Sequence, residues 1–157
     1  MGWENTIQGE AHHDFETFDE ILKLWAQKRP DRVALEQGDR RTTYGELEIA
    51  TRTIIALYKA RGITAGDRVA WLGKNSEFYG QLDLAAARMG AVMVPVGWRL
   101  AGAEIGYILS DTEAKLLFVE DQFAETARGV AASLDHDLDV IEVGEARASM
   151  AAIEPDT

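Results

Sequence analysis

A chain of 157 residues is long enough for one domain, and its 27 Asp and Glu against 16 Lys and Arg leave a net charge of -11. That surplus argues against nucleic acid and anionic membranes as partners, because both recruit a basic face. Cysteine is absent, which excludes disulfides, thiolate zinc sites and a cysteine nucleophile, and no apolar run is long enough to span a bilayer.

Residues 1–14 are polar and aperiodic and read as a flexible N-terminal arm. They lack the basic start and apolar core of a signal peptide, so a cytoplasmic location is expected. His12 and His13 are adjacent and would point different ways on a helix or strand, which disfavours a shared metal. Phe18, Ile21, Leu22 and Trp25 mark one face of a helix, and Thr17 with Glu20 has capping-box spacing. Pro30 stops that helix, having no N–H to donate. Val33–Glu36 and Arg41–Tyr44 flank Gly38-Asp39 and predict a β-hairpin or its two extended arms. Thr43 and Glu46 repeat the capping-box spacing and open a helix through Leu47, Thr51, Ile54, Ile55 and Tyr58.

The stretch Asp67–Val96 predicts a strand, a helix and a second strand. Arg68–Leu72 is a short apolar run, and Asn75 or Ser76 can cap the start of a helix. Phe78, Leu82, Ala85, Ala86 and Met89 recur at helical spacing, Gly90 suits a left-handed helix exit, and Ala91–Val96 is β-branched. Two buried strands joined by a helix make a βαβ unit. Downstream, Glu104, Ile105, Ile108 and Leu109 predict a short helix, and Ala114–Val119 a strand. Phe123, Ala127, Val130, Ala131 and Leu134 predict a further helix, and Asp139–Val143 a last strand. Residues 144–157 are alanine-rich and acidic without a clear period and read as a tail. The expected fold class is α/β: a doubly wound, mainly parallel sheet with helices on both faces plus one β-hairpin.

Chemical motifs are scarce. Gly73-Lys74 invites a phosphate-loop reading, but six residues separate Gly66 from Gly73 where the motif needs four, and Asn75 stands where Ser or Thr would hold magnesium. Asp135–Asp139 starts like a calcium loop, but its sixth and twelfth positions are Val140 and Ala146 instead of glycine and glutamate. None of Ser76, Ser110, Ser133 and Ser149 sits in a nucleophile elbow. No metal site and no catalytic residue emerges from these patterns.

An ordered set of phrases carries more. It comprises Arg29–Ala34, Thr43-Tyr44-Gly45-Glu46-Leu47, Gly66–Ala70, Lys74-Asn75-Ser76-Glu77-Phe78, Met89–Val96, Trp98-Arg99-Leu100, Glu104–Asp111 and Ala114–Val119. In order and spacing it resembles the opening of the adenylate-forming acyl-CoA ligases, the AMP-binding enzymes, over Phe15–Val143. Gly97 departs from the asparagine the family often has there. The resemblance implies a partial N-terminal domain of the ligase fold over residues 15–143, with residues 144–157 leading toward a phosphate-binding loop. That loop, a Ser/Thr/Gly-rich segment ending Gly-x-Pro-Lys, is absent from this chain, so the fragment alone is expected to be inactive.

For the parent, the resemblance implies ATP, Mg2+ and coenzyme A as cofactors and a fatty or aromatic carboxylic acid as substrate. Arg99 is the one implied binding residue, near coenzyme A; its competing role is to bond loop carbonyls or pair with Glu104. A homo-oligomer formed through exposed apolar surface is a further expectation. The alternative is a stand-alone α/β binding or interaction module without catalytic activity.

Overall fold

The computed structural model describes residues 16–157; the expected arm, with His12 and His13, lies outside them. Helix α1 (Phe18–Lys28) leads to a hairpin of β1 (Val33–Gln37) and β2 (Arg40–Thr43). Helix α2 (Tyr44–Ala60) then precedes β3 (Arg68–Leu72), α3 (Glu77–Met89) and β4 (Val92–Val96). Helix α4 (Gly102–Thr112), β5 (Leu116–Val119), α5 (Ala124–Ala131), β6 (Asp139–Glu142) and α6 (Val143–Ala152) complete the order.

The local signals are realised by their own chemistry. Thr17 Oγ1 accepts from Glu20 N–H and Glu20 accepts from Thr17 N–H, and Thr43 and Glu46 repeat the exchange at α2. Ser76, not Asn75, caps α3 by accepting from Tyr79 N–H at 3.1 Å. Gly90 ends α3 at φ +73°, a left-handed conformation that glycine reaches without a Cβ penalty.

The hairpin is antiparallel and stands apart from the main sheet, whose four strands are all parallel in the order β4-β3-β5-β6. Strand alternation splits the core between the two faces. Val69, Trp71, Leu116, Phe118 and Ile141 face α2, α3 and α6, joined by Tyr58, Phe78 and Leu82. Ala70, Leu72, Leu117 and Val119 face α4 and α5, joined by Ile105, Leu109 and Ala127. This is the doubly wound arrangement that the alternating pattern implies.

Arg88 of α3 holds the outer layer in place. Its guanidinium takes Glu48 of α2 with both terminal nitrogens, at 2.8 and 2.6 Å, and Asp19 of α1 through Nε.

The stretch expected as an aperiodic tail is α6 over most of its length. Alanine is the strongest intrinsic helix former, so this segment forms a helix without an apolar stripe to announce it. The helix adds Ala146, with Met150 partly buried, to the first core, and Ile153 just beyond its end packs there too.

Candidate functional site

In open α/β sheets, ligands gather beyond the carboxyl ends of the strands, where the chain switches direction across the sheet. Here β4 and β5 flank β3, because the connection through α4 passes over β3 and reaches its far side. Three loops therefore meet at that end: 73–76 after β3, 97–101 after β4 and 120–123 after β5.

The first loop is shaped by Gly73. A Cβ there would overlap the buried Trp71 ring and sit 2.8 Å from Glu120 Cγ. Glycine thus lets the β5 loop close over the β3 loop. Glu120 Oε2 in turn accepts from Gln122 Nε2 at 2.8 Å.

Trp98 is the centre of the second loop. Its ring is half-buried against the α4–α5 face and stacks with Phe123 from the third loop, centroids 6.0 Å apart. The Arg99 guanidinium lies over Trp98, 4.1 Å from the ring centroid, and Lys74 Nζ from the first loop lies 5.2 Å from it. Both cations are exposed, and among the described residues neither forms an ion pair with a carboxylate. The carboxylate expected for Arg99 is engaged elsewhere: Glu104 accepts from Ala101 N–H at 2.8 Å and caps α4.

The arrangement is thus two unneutralised cations on one indole, in a chain of net charge -11. It can bind an anion. Among the described residues no three His, Cys, Asp or Glu side chains gather to hold a metal ion. No group of this chain is therefore assigned to magnesium.

Sequence reasoning singles out Arg99 and misses its neighbours. Lys74 falls with the failed phosphate-loop motif, which is rejected on its glycine spacing and on Asn75 and leaves the lysine's own position open. Phe123 reads as part of a helical apolar stripe and Trp98 as part of a turn; both pack partly against the second core.

The Asp135–Asp139 segment is the α5–β6 loop, where His136 Nε2 lies 3.1 Å from the Ala114 carbonyl oxygen. Gly102 and Gly106 belong to α4 and face Val130 of α5 at ordinary packing distance, as their spacing suggests. No described helix is long and apolar enough to cross a membrane.

Comparison with known proteins gives concordant matches. A family model described as AMP-binding enzyme matches residues 22–155. The fatty acid–[acyl-carrier-protein] ligase ScoC of Streptomyces coeruleorubidus is 35% identical over 146 residues, covering 93% of this chain and 28% of ScoC. The 3-hydroxybenzoate–CoA ligase of Aromatoleum sp. (strain CIB) is 34% identical over 138 residues, covering 84% of this chain and 26% of that enzyme. Among solved structures, the N-terminal domain of FACL13 from Mycobacterium tuberculosis superposes with a TM-score of 0.81 at 27% identity, covering 90% of this chain and 38% of that one. The chain thus spans about a quarter of the length of these curated relatives.

Proposed function

The chain belongs to the AMP-binding enzyme family, and from that premise we propose that it is the N-terminal α/β part of an ATP-dependent carboxylate–CoA ligase. The reaction so assigned has two steps. The carboxylate of the acid attacks the α-phosphate of ATP, giving an acyl-adenylate and pyrophosphate. The thiolate of coenzyme A then displaces AMP and forms a thioester. Magnesium, when bound, offsets the charge of the nucleotide phosphates. The acid is a fatty or aromatic carboxylate, the classes named for the relatives ScoC and 3-hydroxybenzoate–CoA ligase.

The residues present serve the thiol substrate. Arg99 stands past the carboxyl end of β4 as an exposed guanidinium without a carboxylate partner among the described residues, and this observation carries the reading. It would hold a phosphate of coenzyme A during the second step. No Gly-rich phosphate loop lies within these residues, so adenylation is not assigned to them. The isolated chain is expected to catalyse no ATP–pyrophosphate exchange; measurable exchange by the pure chain would refute that.

In the full-length ligase, Arg99→Ala is expected to raise KM for coenzyme A about tenfold, the loss of one charge-assisted contact. ATP–pyrophosphate exchange, which precedes the thiol, should stay unchanged. An unaltered KM would end the assignment of Arg99.

A further inference from the structure

We propose that Asp156 is a positioning residue: by locking the segment after α6 onto α2, it fixes the entry of the phosphate-binding loop in the full-length ligase. The proposal rests on the ligase reading given above and adds to it a residue that serves the adenylation step.

An extended segment without a strand partner ordinarily leaves its backbone groups to water. Residues 153–157 follow α6 and join neither sheet. Asp156 nevertheless has its N–H, its carbonyl and its carboxylate all bonded to one helix. Its N–H donates to the Arg52 carbonyl at 3.2 Å, and its own carbonyl accepts from Arg52 Nε. Both carboxylate oxygens accept from Lys59 Nζ, at 2.9 Å each. Arg52 and Lys59 lie two turns apart, so a single face of α2 supplies every one of these contacts. Just upstream, Ile153 packs against the first core, and Pro155 restricts the backbone between the two anchors.

The Lys59–Asp156 pair is partly exposed, and such a pair alone contributes little. The two reciprocal bonds with Arg52 add what an ion pair lacks, which is direction. They orient the peptide groups before and after Asp156 and so set the path by which the chain leaves α2. In the ligase so assigned, residues 144–157 lead toward a loop whose backbone amides cradle the nucleotide phosphates. Such amides stabilise a transition state only when held in place beforehand. The first step expels pyrophosphate and needs that cradle. The second step, in which coenzyme A displaces AMP, begins after pyrophosphate has gone. Loosening the anchor should therefore separate the two steps.

The test uses the full-length ligase and measures each step by itself. Asp156→Asn and Lys59→Ala should each lower kcat/KM for ATP in ATP–pyrophosphate exchange about threefold to fivefold, the range of a partly exposed ion pair. Thioester formation from preformed acyl-adenylate and coenzyme A should stay unchanged. Lys59→Arg keeps the charge and should retain most of the exchange rate. The double variant should fall no further than either single one, because both remove the same contact. Equal losses in the two steps, with a lowered Tm, would mark a merely structural anchor and overturn the proposal. Unaltered exchange in both single variants would overturn it as well, and the ligase reading would stand. A wild-type protein that catalyses no exchange with any fatty or aromatic acid overturns the ligase reading, and this proposal with it.

Discussion

Gly73 shows how much a single hydrogen atom can decide. A methyl group there would enter the Trp71 ring, which is 2% exposed and wedged between Phe78 and Tyr79, so it has nowhere to retreat. Gly73→Ala is expected to cost about 1–3 kcal/mol by overpacking. Urea denaturation with wild-type stability would show that the loop yields instead. Asp67 gives a pH-dependent counterpart. Lys115 at 2.6 Å, then the Thr64 N–H and hydroxyl at 2.8 Å each, hold its carboxyl down from the usual 3.8 to about 2. A depressed folded-state value contributes stability above the unfolded value and loses it as pH falls from about 4 toward 2. The contribution is about 1 kcal/mol once screening at the half-exposed lysine is allowed for. Asp67→Asn should lower Tm at pH 7 and flatten its fall between pH 4 and 2; parallel profiles for the two proteins would contradict this. Residue-scale signals that act within one turn, such as the Thr17–Glu20 and Thr43–Glu46 exchanges, were legible in sequence because both partners are local. The Lys74–Trp98–Phe123 grouping was not, because it depends on which strands lie side by side.

Among elements, one side chain ties the hairpin to two helices. Glu77, the first residue of α3, has a side chain only 8% exposed and pairs with Arg40 of β2 at 3.1 Å and Arg147 of α6 at 3.4 Å. It also accepts from Thr42 Oγ1 at 3.4 Å, while its own N–H donates to Gln37 Oε1 of β1 at 2.9 Å. One carboxylate thus joins β2, α3 and α6, and its removal leaves two arginines facing each other. Glu77→Ala is expected to destabilise by about 2 kcal/mol, less than a fully buried pair because both arginines keep solvent contact. Hydrogen exchange should rise first in residues 33–43; uniform loosening of the whole chain would mean that the hairpin does not depend on this contact. The hairpin itself was legible from Gly38-Asp39 between two extended runs. Its docking on α3 was not, since nothing local pairs Glu77 with residues some forty positions away. Helix α6 escaped for a different reason: a test for apolar periodicity is blind to a helix formed through alanine propensity.

At the scale of the molecule, the alternation of strands and helices made the doubly wound class legible, while strand order had to come from packing. That order leaves β4 at one margin of the sheet, where an unpaired strand invites a second copy. Val92 N–H donates to the Asp67 carbonyl at 2.8 Å, so in this parallel ladder Val92, Val94 and Val96 turn their backbone groups toward β3. Met93 and Pro95 turn theirs outward, and Pro95 has no N–H to offer. Proline is thus accommodated without breaking the ladder, and it removes an outward donor from a strand whose Val92 is 49% exposed. Among the described residues, the other large apolar side chains left exposed, Phe18, Val33, Ile49 and Tyr107, stand on four different elements. If copies of this chain pair, the β4 margin offers them a route, and Pro95 obstructs it. Pro95→Val should restore the donor, keep the β-branched run and raise the sedimentation-average mass of the chain as concentration increases, with wild type changing less. If the two proteins sediment alike across that range, the β4 margin is not where copies of this chain meet, and association has to be sought on the helical faces.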